Sequence, residues 1–410
     1  MILLFLACHT DERKPQEETE NTAKAIPTYY QDIAPILTEN CSSCHREGGA
    51  GGFVFDNYDT ARALAPNIAD SVINRRMPPF HADNSGDCQT FEHSLWLLDE
   101  EIDTIALWSQ EGTPEGDAVE LVHPSFAEEP FEGTHSVSFA PYEANFATSS
   151  DDYRCFIVNP EIKEEGYLTG FEVLPSNREI AHHMILYAPE SEEALQQAFQ
   201  LDQEDDAPGY TCFGGAGVDS RMIAPWAPGS DQWYYPDGAG VLMEENQFLI
   251  LQMHYSNASD DPLDSTIVNL NIVDQVEKEI ITWFYIHSEL EIPPNQKEHL
   301  ESASFTMRNY TGYQGDLELL ALGPHMHKLG RASSSKLIHP DGTETCLIDV
   351  PSYDFNWQRA YTYTNPVTIK PADRMELSCI FDSTSTEETT SWGDGTGDEM
   401  CLMTMFTYVP

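Results

Sequence analysis

The sequence predicts a multidomain fold, a small all-α domain followed by two all-β sandwich (jelly-roll-like) domains. Three observations predict it. Between residues 27 and 108 apolar side chains recur at helical intervals. From about residue 125 onward the chain changes to short runs of Val, Ile, Phe, Tyr and Thr, broken by Pro, Gly, Asn and Asp. That is the pattern of strands and turns. At 410 residues the chain is also too long for one ordinary domain. The expected division is a signal and tether over 1–25, the all-α domain over 26–116, and sandwiches over 125–282 and 283–410.

The first segment reads as an export signal. Ile2 to Ala7 is apolar and ends at Cys8, and Phe5-Leu6-Ala7-Cys8 resembles the end of a bacterial lipoprotein signal. In that reading Cys8 carries a lipid anchor. The stretch lacks a basic start and is far too short to span a bilayer. Residues 9–25 are polar and aperiodic and read as a flexible tether. Charge points the same way: 20 Lys plus Arg stand against 69 Asp plus Glu, a formal net charge of −49. Such a surface repels nucleic acid and anionic lipid, so no nucleic-acid partner is expected. The expected localisation is an exported lipoprotein of a bacterium, periplasmic or at the cell surface.

In the all-α domain, residues 27–40 read as a short amphipathic helix leading to Cys41-Ser42-Ser43-Cys44-His45. This fits the C-x-x-C-H pattern of covalent haem c attachment. The Cys41 and Cys44 thiols add across the haem vinyl groups, and His45 becomes the proximal iron ligand. A redox dithiol or half a zinc site are the alternatives. A glycine-rich turn over 48–52 follows, then helical spacing from Asp59 to Arg75 and from Leu97 to Trp108. Met77, in Arg75-Arg76-Met77-Pro78-Pro79-Phe80, is the candidate sixth ligand, with His81 as its rival. The segment resembles the class I cytochromes c. The resemblance implies a last helix packed on the first and a methionine held in an extended proline segment.

The β region carries three histidine groups. They are His182-His183 in Ala181-His182-His183-Met184, His254 in Leu251-Gln252-Met253-His254-Tyr255, and His325-Met326-His327 before Lys328-Leu329-Gly330. On a strand, residues two apart share a face, so His325 and His327 can pinch one metal. Adjacent His182 and His183 need a strand end or a bulge to do the same. Met400, in Asp398-Glu399-Met400-Cys401, adds a thioether, and that softness favours Cu(I).

These motifs, in this order, resemble the copper type II, ascorbate-dependent monooxygenases, the family of peptidylglycine α-hydroxylating monooxygenase and dopamine β-monooxygenase. The resemblance covers roughly residues 130–410. It implies two β-sandwiches and two copper ions. One copper would lie on His182, His183 and His254 and pass electrons. The other would lie on His325, His327 and Met400 and activate oxygen. Gln252 matches a glutamine near the family's active site, and Cys401 would pair with Cys379. Of the nine cysteines, Cys8, Cys41 and Cys44 have other roles, and the remaining six suit three disulfides in an oxidising compartment. Pairings among Cys88, Cys155, Cys212 and Cys346 stay open, and Cys346 has no partner in the family pattern.

Departures bear on substrate. Peptide-amidating members carry an arginine two residues before the H-x-H motif, where this chain has Gly323, and an Asn and a Tyr beyond the methionine, where it has Leu402 and Thr404. A carboxylate clamp is therefore not expected. The expected function is copper-dependent hydroxylation of a C–H bond of a small organic molecule with O2. Electrons would come through the fused haem c from an ascorbate-like reductant or another redox protein. The alternative is an exported copper-binding, electron-transferring lipoprotein without oxygenase activity.

Overall fold

The computed structural model describes residues 25–410 other than 47–50, 52, 56, 120–129, 148, 227–231, 258, 356, 394 and 396. Cys8 and nearly all of the tether lie outside the described residues, as does most of the glycine-rich turn. No helix among the described residues is long and apolar enough to cross a membrane.

The helical unit follows the spacing read from the sequence. A π-turn at Tyr29–Ile33 runs into the helix Ala34–Asn40, which ends at Cys41. The helix Tyr58–Ile73 is capped by Asn57, whose side chain accepts the Thr60 N–H. The helix Asp99–Gln110 has three acidic residues in its first turn, at the positive end of the helix dipole. Ile33, Leu37, Ala61, Ile68, Ile105 and Trp108 form its core. Each fully buried aliphatic or aromatic side chain contributes roughly 1.5–3 kcal/mol. The last helix packs on the first, with the Tyr29 and Trp108 rings 6.1 Å apart.

The expected 26–116 unit is not one body. Phe80, Ala82 and Phe91 lie in the core of the second sandwich, with Leu95 and Trp96 packed against it. Residues 80–92 form a strap on that sandwich. Asp83 N–H donates to Asp349 O (2.8 Å), Glu92 N–H to Thr362 O (2.8 Å), and Thr364 N–H to Thr90 O (3.0 Å). A disulfide joins Cys88 to Cys346, the cysteine that had no expected partner. The strap has neither helical nor strand periodicity, so its partner was not readable locally. Replacing Cys88 and Cys346 together by Ser is expected to cost about 2–4 kcal/mol, because the bond closes a very long loop. Thermal melting and limited proteolysis within 78–97 check this; wild-type values for both would contradict it.

The first sandwich packs two sheets. One runs His135–Ser138, Ile267–Val273, Gly166–Leu174, Ala239–Met243, Lys278–Glu279, with Gln232–Tyr234 also on Gly166–Leu174. The other runs Tyr210–Thr211, Asp151–Val158, Leu249–Ser256, Ala181–Pro189, Ser220–Trp226. Its central strand Leu249–Ser256 is paired on both edges and buried along almost its whole length, which explains its nearly unbroken apolar run. The second sandwich has one sheet of Ile281–Ile286, Leu402–Tyr408, Leu317–His325 and Tyr361–Ile369, and another of His299–Thr306, Arg374–Phe381, Gly330–Ile338 and Glu344–Val350. The join falls at Ile280, since Lys278–Glu279 pairs into the first sandwich and Ile281–Ile286 into the second. Leu320, Ala321 and Phe406 of the second sandwich share the first one's apolar core. The two are therefore packed together rather than strung apart.

Candidate metal centres

Three imidazoles converge on the first sandwich. His254 lies directly opposite His183, while the next residue, Tyr255, lies opposite Ala181. His182 is thus the extra residue of a bulge, the irregularity that adjacent histidines require to share a side. The Nδ1 atoms of His182 and His183 are 3.4 Å apart, and those of His254 and His183 are 3.3 Å apart. A metal bound to three imidazole nitrogens at about 2.0 Å would space them by about 3.3–3.5 Å. The donor set therefore fits one ion. Asp151 holds His254 by its other nitrogen, Oδ1 to Nε2 at 2.9 Å. Tyr153 stacks flat on the same ring at 4.1 Å. Burial, then the neighbouring histidines, push the His183 imidazole well below its usual range, and burial with His182 pushes His254 down to about 4. The rings are thus neutral near pH 7, the form that binds metal.

A second pair comes from the other sandwich. The strand Leu317–His325 ends at His325, and His327 follows in the turn, with the two rings 5.2 Å apart and nearly perpendicular. Each ring is fixed through Nδ1. His325 Nδ1 meets Gln358 Oε1 at 2.5 Å, and the Gln358 amide is oriented by its Nε2 donating to Phe355 O. His327 Nδ1 meets Asp398 O at 3.0 Å. Both acceptors are oxygens, so Nδ1 carries the proton and Nε2 is left for a ligand. Burial pushes His325 down to about 4.

Met400 is brought to this pair by a buried carboxylate. Glu399 accepts the backbone N–H groups of His327 (2.9 Å), Leu329 (2.5 Å) and Met400 (3.1 Å). The adjoining Cys401 is bonded to Cys379, the pairing implied by the resemblance. Two imidazoles, with a buried thioether on the segment that Glu399 ties to His327, are a donor set suited to copper. Phe355 lies near both clusters, 5.5 Å from His182 and 6.0 Å from His327 between ring centres. Beside them opens a cleft of about 740 Å³, lined by Asp151, Tyr153, Arg154 and Phe213 and, from the second sandwich, Gly395.

Comparison with known proteins accords with this geometry. Residues 138–262 match the copper type II ascorbate-dependent monooxygenase N-terminal domain, and residues 279–410 match the C-terminal domain. The chain belongs to the copper type II ascorbate-dependent monooxygenase family. It is 27% identical to DBH-like monooxygenase protein 2 of Mus musculus over 65% of this chain and 45% of that protein. It is 23% identical to peptidyl-glycine alpha-amidating monooxygenase A of Xenopus laevis, over 64% and 27%. It is 24% identical to dopamine beta-hydroxylase of Canis lupus familiaris, over 54% and 39%. The chain spans about half or less of the length of these relatives.

In this copper monooxygenase fold, Gln252 lies two residues before His254 on the same strand. It is buried, and its amide donates to Cys212 O (3.0 Å) and Gly215 O (2.9 Å). It therefore clamps the loop that carries Phe213, which packs edge-on against Tyr153 beneath His254. Its geometry is that of a positioning residue. The loop is also closed by the Cys155–Cys212 disulfide. With Cys88–Cys346 and Cys379–Cys401, six cysteines form three disulfides, as counted from the sequence.

Sequence reading missed Asp151, Gln358 and Phe355, and left Glu399 without a role. Only Glu399 carried a signal, as the neighbour of Met400. Asp151→Asn is expected to weaken copper binding at the three-histidine cluster about 10–100-fold, the usual cost of losing a partner that orients a metal-binding histidine. Copper titration of that site checks it, with unchanged affinity as the contrary result.

The C-x-x-C-H turn is also built for a ligand. Cys44 and His45 N–H groups both bond Cys41 O, which gathers the three side chains on one turn. His45 Nδ1 bonds Phe53 O at 3.1 Å, leaving Nε2 for iron, and Phe55 stacks on the ring at 4.4 Å. Gly51 lies so close that a Cβ would fall 2.5 Å from His45 Nδ1, so only glycine fits there. Burial pushes the Cys41 thiol up to about 12, the reverse of the depressed value a redox dithiol needs. These residues fit a covalent haem. Met77 lines a small cavity with Val72, Leu97 and Ile102 of the helical core. His81, its rival, is buried instead against the second sandwich, its N–H on Tyr361 Oη at 3.3 Å.

Proposed function

We propose that the chain hydroxylates a C–H bond of a small organic substrate with O2, using two copper ions, with electrons supplied through a haem c. The observation that carries this is the pair of imidazole clusters, one from each sandwich, with Phe355 packed near a ring of each. When bound, copper supplies O2 activation and one-electron exchange, and haem supplies electrons one at a time. His182, His183 and His254 would hold the first copper, and His325, His327 and Met400 the second. Cys41, Cys44 and His45 would hold the haem, with Met77 as sixth ligand. Asp151, Gln358 and the Asp398 carbonyl hold the histidine rings at fixed angles, so little reorganisation is needed when the metal changes charge.

Substrate preference follows from what surrounds the second pair. Gly323 sits opposite Thr404, and the nearest atoms to a side chain there would be Thr404 Cβ (3.5 Å) and Ala360 (3.9 Å). With glycine at 323 in place of the arginine of peptide-amidating members, that carboxylate clamp is missing, which favours a neutral, apolar or aromatic substrate. The reductant is an ascorbate-like molecule or a redox protein. Three disulfides suit an exported protein, and Cys8 would anchor it by lipid. Metal and haem content of the purified protein tests the reading. Two coppers and one covalent haem per chain are expected. Haem alone would leave an electron carrier, and copper without substrate-dependent O2 uptake a copper-binding protein.

A further inference from the structure

We propose that Tyr353 is a positioning residue for the copper site of His325, His327 and Met400. With Glu399 it fixes the backbone of the 326–329 turn, so that the two imidazoles are set before a metal arrives. This rests on the copper reading above and assigns what sets the geometry of that site.

The strand ladder cannot do this. The strand Leu317–His325 ends at the first histidine, so a turn must place His327. Beyond the ladder, backbone N–H and C=O groups need other partners. Here one side chain serves both groups of the residue between the histidines. The Tyr353 hydroxyl accepts the Met326 N–H (3.0 Å) and donates to the Met326 carbonyl (2.7 Å). A hydroxyl can do both at once, because it carries one proton and two lone pairs. Tyr353 and Met326 are both buried, so losing the hydroxyl would leave two buried polar groups without their partner.

Glu399 continues where Tyr353 stops. Its fully buried carboxylate accepts the N–H groups of His327 and Leu329, and that of Met400 on the other ligand segment. An ionised carboxylate only accepts, which suits a cluster of three donors. The turn then closes on its own backbone. Gly330 N–H donates to His327 O (3.2 Å), and Asp382 N–H to Leu329 O (2.8 Å). The Met326 side chain packs into the core of the second sandwich against Gly330, where a Cβ would fall 2.7 Å from Met326 Cβ. Tyr353 is itself pinned beside the turn, its N–H donating to Arg331 O at 2.7 Å. All of these anchors are made by protein groups. The hydroxyl meets the backbone between the two histidines, so it acts on the site through their placement.

Full-length protein, first metal-free and then copper-loaded, tests this. Hydrogen exchange, read by mass spectrometry on peptides covering 325–330, is expected to be slow in the metal-free wild type and fast in Tyr353→Phe. Copper titration of Tyr353→Phe should show the second site weakened about 10–100-fold, with the three-histidine site unchanged. Glu399→Gln turns an amide N–H toward one of the three donors. In that variant the sulfur scattering seen by X-ray absorption of Cu(I)-loaded protein, the signature of the Met400 thioether, should fall. Tyr363→Phe is the control, since it removes a buried hydroxyl-to-carbonyl bond, Tyr363 to Leu347 at 2.8 Å, from the same sandwich. It should bind copper as the wild type does. Wild-type copper affinity in Tyr353→Phe would overturn the inference, as would an equal loss in Tyr363→Phe or fast exchange of the turn in the metal-free wild type. A wild-type protein that binds copper only at the three-histidine cluster would instead overturn the second-copper reading itself.

Discussion

Met400→Ile is expected to abolish hydroxylation, lowering turnover by more than the ~10–100-fold that follows loss of an outer-shell partner. Isoleucine has nearly the volume of methionine but no donor atom. The fold should therefore tolerate it, since volume-conserving swaps usually cost less than about 1.5 kcal/mol. The segment around it is held independently of the side chain. Its N–H is on Glu399, and Cys401 is tied to Cys379. Covalent haem and copper on the three-histidine cluster should survive. Substrate-dependent O2 uptake, metal content and the melting temperature, measured together, check the prediction. Turnover at the wild-type level in Met400→Ile would remove the second cluster from the chemistry.

Replacing both Cys41 and Cys44 by Ala should remove covalent haem and starve the enzyme of electrons without touching either histidine cluster. A donor attached to the chain acts at an effective concentration of about millimolar. With a micromolar external donor, turnover should then fall about 100-fold or more, and millimolar ascorbate should recover much of it. The haem spectrum of the denatured chain, copper content and turnover at low and high reductant check this. Unchanged turnover at low reductant would show that the electrons do not pass through the first domain.

Much of this arrangement was legible in the sequence, because it is written in short-range patterns. The helices around Ile33, Ile68 and Ile105 follow a 3.6-residue period. The bulge at His182 was required once two adjacent histidines were asked to share a side. The strand rule pairs His325 with His327 and their rings lie 5.2 Å apart, although the strand ends at His325 and the turn places His327.

What stayed hidden is long-range. Cys88 meets Cys346 across most of the chain, and Phe91 bridges to Tyr363, contacts that no local period encodes. Asp151 and Gln358 look like ordinary polar residues in sequence, and become ring-holding partners only when the strands and loops assemble. Gln252 shows the reverse. It sits two residues before His254, yet its amide is spent on the carbonyls of Cys212 and Gly215.

The claim on which the rest depends is that this chain inserts oxygen into a C–H bond at copper. Supplying 18O2 to the copper-loaded, full-length protein with a reductant and a panel of neutral aromatic and aliphatic substrates tests it most directly. The account predicts a hydroxylated product carrying one 18O atom, formed in step with O2 uptake, absent after copper chelation and absent from Met400→Ile. Product oxygen drawn from water, or product formation indifferent to copper, would contradict it.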